Sequence, residues 1–219
     1  MTIADTPATD LAPLFKTWFH GWAASRALAP PTRHDGDWRV EVGLPEQRRR
    51  HYFTGITDRL RAFGDATREP WVLIKALAPP GELRAALPAR WTVLTAPSYF
   101  MSFDGPAPEA PPLPHGYTLA VEDEAGVRHA FVRAADGSMA ADGRVAIVDG
   151  TAIFDRIGTD AAHRRRGLGR HVMCALHAAA RREGVARGLL AATVDGHALY
   201  TTLGWRVRSP YATAVIQGD

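Results

Sequence analysis

Apolar side chains fall at Leu11, Leu14, Phe15, Trp18, Phe19, Trp22 and Ala23. That i, i+3, i+4 spacing lines one face of a helix. "DLAPLFKTWFHGWAASRAL" is therefore predicted to be a helix from about Asp10, which can cap it, with Pro13 accommodated in the first turn. Its stripe reads as buried core, and residues 1–9 are expected to fray. "DWRVEVG" alternates instead, with Trp38, Val40 and Val42 set against Arg39 and Glu41. That is the period-two pattern of a half-buried strand, and "HYFTG" is its expected partner. "TDRLRAF" and "GELRAAL" read as short helices. "WVLIKAL", "WTVLTA" and "SYFMSF" read as strands, so the order is mixed α/β.

Five prolines between Asp104 and Gly116, in "DGPAPEAPPLPHG", rule out a helix or an inner strand. The chain is divided accordingly into an α/β region over 1–103, an extended linker over 104–115 and a second domain over 116–219. The second domain opens with four strands, "GYTLAVED", "RHAFVRAA", "RVAIVDG" and "TAIFDRIGTD". Asp149-Gly150 separates the last two and suits a tight hairpin. A helix, "GLGRHVMCALHAAARREG", follows, with Val172, Met173, Leu176, Ala179 and Ala180 as its apolar face and Gly184 as its stop. His171 and His177 on this helix read as surface or packing residues, and Cys174 as core. "GLLAATV" is a further strand and "HALYTTLG" a short helix. "WRVRS" and "YATAVIQ" are expected to close the chain as a hairpin.

Composition narrows the classes. The 219 residues are 46% hydrophobic, enough for a substantial core. No run of about 18 apolar residues is present, so no membrane span is expected. The N-terminus lacks the basic flank and apolar core of a secretory signal. Cys174 is the only cysteine. An intramolecular disulfide and a thiolate zinc cluster are thereby excluded, no metal is expected, and a cytoplasmic setting fits. The formal net charge is only +3, too mild to demand a nucleic-acid partner but suited to a local anion pocket.

That pocket has a candidate in "HRRRGLGRHVM", His163 to Met173. A strand ends at Thr159, a loop carries Arg164, Arg165, Arg166 and Gly167, and a helix begins. Amides of a first helical turn lack internal partners, and the dipole is positive at that end. Glycine permits close backbone approach, and arginines add fixed charge. The arrangement suits a phosphate or pyrophosphate. It is not a phosphate loop of the G-x-x-x-x-G-K type, because the lysine is absent. Nor is it a dinucleotide fingerprint, because only Gly167 and Gly169 occur and hairpins join the preceding strands.

"RRRGLG" resembles the R/Q-x-x-G-x-G/A acyl-CoA signature of the GCN5-related N-acetyltransferases (GNAT). "LYTTLGW", with Tyr200, Gly204 and Trp205, is similar to the Y-x-x-x-G-F/W segment of the same family. Order and spacing agree over about Gly116 to Gln217. The resemblance implies a GNAT-type acyltransferase fold with a mixed sheet, and an acetyl-CoA-dependent N-acetyltransferase acting on a primary amine in a ternary complex. It places the pantetheine and acetyl group along the backbone of Ile157, Gly158 and Thr159. The pyrophosphate falls on the amides from Arg166 through Gly167, Leu168 and Gly169 to Arg170, with Arg164, Arg165 and Arg166 as the charged side chains. Tyr200 aligns with the acid that protonates the departing thiolate; packing is its structural alternative. Asp155, Asp195 and His197 are candidate bases. Asp155 is favoured because strand parity sets it on one face with Ile157 and Thr159.

The chain departs from the family in two respects. "DGHALY" after "AATV" is short, where many members have a longer stretch that often carries an asparagine. The helices usual between the first two strands of the domain have no room here. The N-terminal half is the candidate for the acceptor wall that they normally form, and tandem or glycine N-acyltransferase-like members offer a parallel in a degenerate copy of the fold. The acceptor is left open, with a small molecule preferred. Two other readings stand beside transfer to a small amine: a CoA-sensing module without turnover, and an RNA- or protein-directed acetyltransferase using "RRRH", Arg48 to His51. Monomer and homodimer are both compatible with the sequence.

Overall fold

The computed structural model describes residues 8–35 and 37–218. The fraying expected over residues 1–9 does not extend to Ala8 and Thr9, which instead belong to the first helix, starting at Ala8. Residues 1–7 and the Asp10 side chain, with its expected capping role, lie outside what is described. The chain forms two compact units. One comprises Met1–Met101, Ala191–His197 and Val207–Asp219, the other Ser102–Leu190 and Ala198–Arg206. Asp104 to His115 contains no helix or strand.

The first unit begins with α1 (Ala8–Ala24). Its sheet is built from β1 (Thr32–His34), β2 (Asp37–Leu44), β3 (Gln47–Phe53), β4 (Val72–Ala76), β5 (Trp91–Val93) and β13 (Ala212–Ile216), with α2 (Asp58–Ala66) and α3 (Pro80–Ala86) between strands. The order is β1-β2-β3-β4-β13-β5. The apolar stripe of α1 is core, as its spacing predicts. Phe15 stacks on Trp18 and meets Tyr52, Phe100 and Tyr211 edge-on, at 5.5–6.1 Å between ring centres. On the opposite sheet face, Leu60 of α2 and Leu83 of α3 are fully buried with Ile74, Trp91 and Ala214.

The expected closing hairpin does not form. β12 (Arg206–Pro210) joins the seven-stranded sheet, whereas β13 inserts between β4 and β5, antiparallel to both. Every β13 residue is buried, and "ATAVI" carries no charge. Such a run suits a strand flanked on both sides better than a hairpin arm with one solvated face. β1, short and exposed, has no hydrophobic pattern to announce it.

The seven-stranded sheet has the order β12-β6-β11-β10-β9-β8-β7. Its further strands are β6 (Ser98–Phe103), β7 (Tyr117–Glu124), β8 (Val127–Ala134), β9 (Met139–Val148), β10 (Thr151–Thr159) and β11 (Arg187–Thr193). In the second unit β7 to β10 form an antiparallel meander. Ala125-Gly126 and Asp149-Gly150, all at positive φ, make two tight turns. The Asp149-Gly150 hairpin is as predicted, and so is the absence of helices between β7 and β8. α4 (Leu168–Arg182) packs Val172, Met173 and Leu176 inward. It ends in a glycine cap: Val185 N donates to Ala180 O and Gly184 N to Arg181 O, with Gly184 at φ +76°. α5 (Val194–Thr202) follows β11.

Candidate active site

Two features of β10 shape the site. The first is where its pairing stops. β10 runs parallel to β11 only through Thr151–Ile153, opposite Arg187–Leu189. It continues six residues beyond Ile153, paired in that stretch, among the described residues, with β9 alone. Backbone groups on its other edge are left for a partner that is not β11.

The second is a bulge. The β9–β10 register shifts between Asp155 and Gly158, with Arg156 at φ +54°. Its consequence can be read from side chains. Phe154 lies 4.5 Å from the His177 ring on α4. Ile157 also faces α4: a Cβ built on Gly143 of β9 would collide with Ile157 and Val172 and press on Leu176. Residues three apart cannot share a face in a regular strand. The parity argument for Asp155 therefore fails, because the extra residue turns Asp155 and Ile157 to opposite faces.

Beyond β10, Asp160 accepts a hydrogen bond from Ala162 N at 2.9 Å and caps a 3₁₀ turn over Ala161–His163. The arginine loop follows. Arg165 and Gly167 have φ of +63° and +77°. Gly167 is the N-cap of α4 and offers no side chain to its first turn. A Cβ there would meet none of the described residues within 4 Å, so the approach to the helix end is open. Gly169 sits close instead: its Cβ position is 3.5 Å from Thr159 Oγ1 and 3.1 Å from Leu199 Cδ2. The end of β10, the start of α4 and α5 are thus held together at one place.

The predicted binding residues divide by role. Arg170 N donates to Gly167 O at 3.0 Å, so of the amides from Arg166 to Arg170 this one is committed to the helix. The Arg170 guanidinium holds Glu109 O at 3.0–3.1 Å, and Arg181 holds Gly105 O. These two contacts fasten the proline-rich segment, which the sequence offered only as a linker. Arg166 donates to Tyr117 Oη at 2.8 Å, and Tyr117 in turn bonds His163 Nδ1 at 2.9 Å. Sequence reasoning missed this network, because Tyr117 and His163 belong to no motif. Arg164 Nε reaches Thr159 O at 3.4 Å, and the loop arginines are exposed.

Tyr200 lies in α5 and is buried. The Y-x-x-x-G-W spacing is a helix terminator. Trp205 N donates to Tyr200 O at 3.1 Å and Gly204 N to Thr201 O at 3.1 Å, with Gly204 at φ +88°. The turn carries Trp205 into a cluster with Phe103, Phe154 and His177 and sets its ring 6.1 Å from that of Tyr200. Burial, and then the Asp155 carboxylate, push the Tyr200 phenol well above its usual range. His177 is pushed down to about 4, by burial first and then by Arg181. It is a neutral, buried packing residue near pH 7, the second of the two places, surface or packing, that the sequence left open for it. Cys174 is buried, and burial raises its thiol. The other candidate bases, Asp195 and His197, fall in the first turn of α5, where His197 packs on Tyr99 at 4.4 Å.

Residues 116–207 match the sequence profile of the acetyltransferase (GNAT) domain. The fold is shared with a GCN5-related N-acetyltransferase from Kribbella flavida (TM-score 0.66, 16% identity, 95% of this chain and 96% of that one). It is shared also with a GCN5-related N-acetyltransferase-like protein from Streptococcus suis (0.60, 12%, 95% and 98%). A third is a GCN5-related N-acetyltransferase from Sphaerobacter thermophilus (0.59, 14%, 84% and 79%). No curated protein matches at the sequence level. The chain shares the fold of these proteins, and residues 116–207 are similar to the GNAT acetyltransferase domain. Among the described residues no helix is long and apolar enough to cross a membrane.

Proposed function

We propose that this chain transfers the acetyl group of acetyl-CoA to a primary amine of a small-molecule acceptor, by direct attack within a ternary complex in the cytoplasm. The observation that carries the reading is the open N-terminus of α4, without a side-chain cap, beside the half of β10 that β11 does not pair. The two parts suit the two ends of coenzyme A. A pyrophosphate needs converging N–H donors and room for close approach. The amides of Arg166, Gly167, Leu168 and Gly169 supply the first and the φ +77° glycine the second. Arg164 and Arg165 add charge at the mouth. A pantetheine arm carries amides of its own, and the backbone of Ile157, Gly158 and Thr159 gives them a strand edge to pair with. Ile157 contributes through its backbone, since its side chain is spent on α4.

In the reaction the amine nitrogen forms a bond to the thioester carbon, and the carbon–sulfur bond breaks. The leaving thiolate takes the Tyr200 proton. A phenol raised by burial is fully protonated near neutrality, so it is available as a donor and unusable as a base. Asp155, close enough to act on that phenol electrostatically, is assigned the proton that the amine loses. An amide at the free edge of β10 directed at the thioester oxygen stabilises the charge that develops there.

Gly167→Trp tests the placement. A bulky side chain at this position must fill the open approach and must also adopt a φ that L-residues resist. Calorimetry of acetyl-CoA with the folded variant should show affinity reduced by at least about tenfold, since a phosphate site at a helix end depends on close contact. Equal affinity in the variant and the wild type contradicts the cradle.

A further inference from the structure

The first unit holds a cavity of about 290 Å³ that the transfer reaction does not use. Strand alternation explains its lining. On β3, Arg50 turns to the α1 face, where its guanidinium stacks on Trp22 at 3.9 Å, and Tyr52 joins the α1 aromatics. Arg49 and His51 turn the other way. Arg39 of β2 lies opposite His51 in register and shares that face with Asp37. α2 and α3 cover this face over β4, β13 and β5 with apolar side chains. Over β2 and β3 the cover is incomplete, and the cavity opens there against Phe63, Arg68, Glu69 and Val72.

Its chemistry is unusual for a structural gap. His51 and Asp37 are almost fully buried, and His51 Nδ1 meets Asp37 Oδ2 at 3.1 Å. The carboxylate can only accept, so Nδ1 carries the hydrogen and Nε2 is the remaining polar atom of the ring. Phe63 fixes the ring from one side, with centres 4.1 Å apart. Burial keeps the imidazole below its ordinary range against the pull of Asp37, with Arg49 and Arg39 lowering it further. Among the described residues Asp37 Oδ1 has no hydrogen-bond partner, and the Arg59 guanidinium stands 3.8 Å away. Three guanidiniums, Arg39, Arg49 and Arg68, line the cavity against one carboxylate, Glu69. Glu41 and Glu69 pair with Arg39 and Arg49, and Arg68 holds the Asp65 and Thr67 carbonyls at the end of α2. A guanidinium has five N–H donors, more than these partners use.

We infer that this cavity is a binding site for a small oxyanion-bearing ligand, a carboxylate or a phosphate, held by Arg39 and Arg49 beside the His51–Asp37 pair. The volume matches the lower end of small-molecule sites, which combine an apolar floor with a few convergent polar groups. Phe63 and Val72 supply that floor. The forked guanidinium is the side chain best matched to a planar carboxylate or a phosphate.

The test uses the full-length chain with labelled imidazole and guanidinium nitrogens. It is titrated with sodium phosphate and, separately, sodium succinate, against sodium chloride at matched ionic strength. Saturable shifts of the His51 and Arg39 signals with phosphate or succinate, absent with chloride, are the expected result. Saturation by phosphate alone identifies the ligand group as a phosphate, and by succinate alone as a carboxylate. Arg39→Gln and Arg49→Gln should each weaken the saturating anion by about tenfold or more, the scale of a lost charge-assisted bond. Linear drift equal to that in chloride overturns the inference, as does binding unchanged in both variants. The wild-type titration decides on its own if a variant does not fold.

Discussion

Replacing Tyr200 by phenylalanine should lower kcat by ~10²–10⁴-fold, the usual cost of a general acid. The ring stays, so its packing beside Trp205 and the thermal midpoint should hold. Binding of acetyl-CoA should change little, because the hydroxyl is needed as the thiolate leaves and not before. The pH profile gives a second readout. Burial, reinforced by Asp155, carries the phenol above its ordinary value, so Tyr200 keeps its proton across the neutral and mildly alkaline range of the assay. An alkaline limb, if one is measured, belongs to another group and should lie at the same pH in Tyr200→Phe. Wild-type kcat in the variant would leave Tyr200 a packing role and give the thiolate its proton from water.

A fragment beginning near Pro114 should aggregate and lack activity, although it contains all of the matched domain, 116–207. The cause is β13. This strand lies between β4 and β5, with Ala214 opposite both Ile74 and Val93. Ala212, Ala214 and Ile216 belong to the apolar cluster built on Ile74, Leu83 and Trp91. A chain that starts at Pro114 keeps β13 and loses both of its neighbours. It is left with two unpaired strand edges and a bare apolar face, the combination that drives association of sheets. Size-exclusion chromatography and an acetyl-transfer assay on the fragment check this. A monomeric fragment as active as the whole chain would show that the remainder is dispensable.

What was legible in the sequence followed short-range pattern. The α1 stripe, the alternation in β2, the Asp149-Gly150 turn and the Gly184 stop each depend on neighbours within a few residues. So did the two motifs. In the structure "RRRGLG" is an uncapped helix start and "LYTTLGW" a glycine-terminated helix end. What escaped depends on distant partners or on a single backbone angle. The place of β13 is fixed by β4, and the Lys75–Thr213 hydrogen bond at 2.8 Å spans 138 residues of sequence. The bulge rests on Arg156 at φ +54°, which no residue type announces, and it undid the parity argument for Asp155. "RRRH" read as one basic run. Strand alternation divides it: Arg50 goes to Trp22, Arg49 to Glu69, and His51 to Asp37.

The most direct measurement is incubation of the full-length chain with acetyl-CoA and a panel of small primary amines, amino acids and peptides, followed by mass detection of products. A gain of one acetyl group on a small amine, dependent on enzyme and reduced ~10²-fold or more in Tyr200→Phe, is the predicted result. Acetyl-CoA that binds and stays intact across the whole panel would contradict transfer and leave the domain a coenzyme A-binding module.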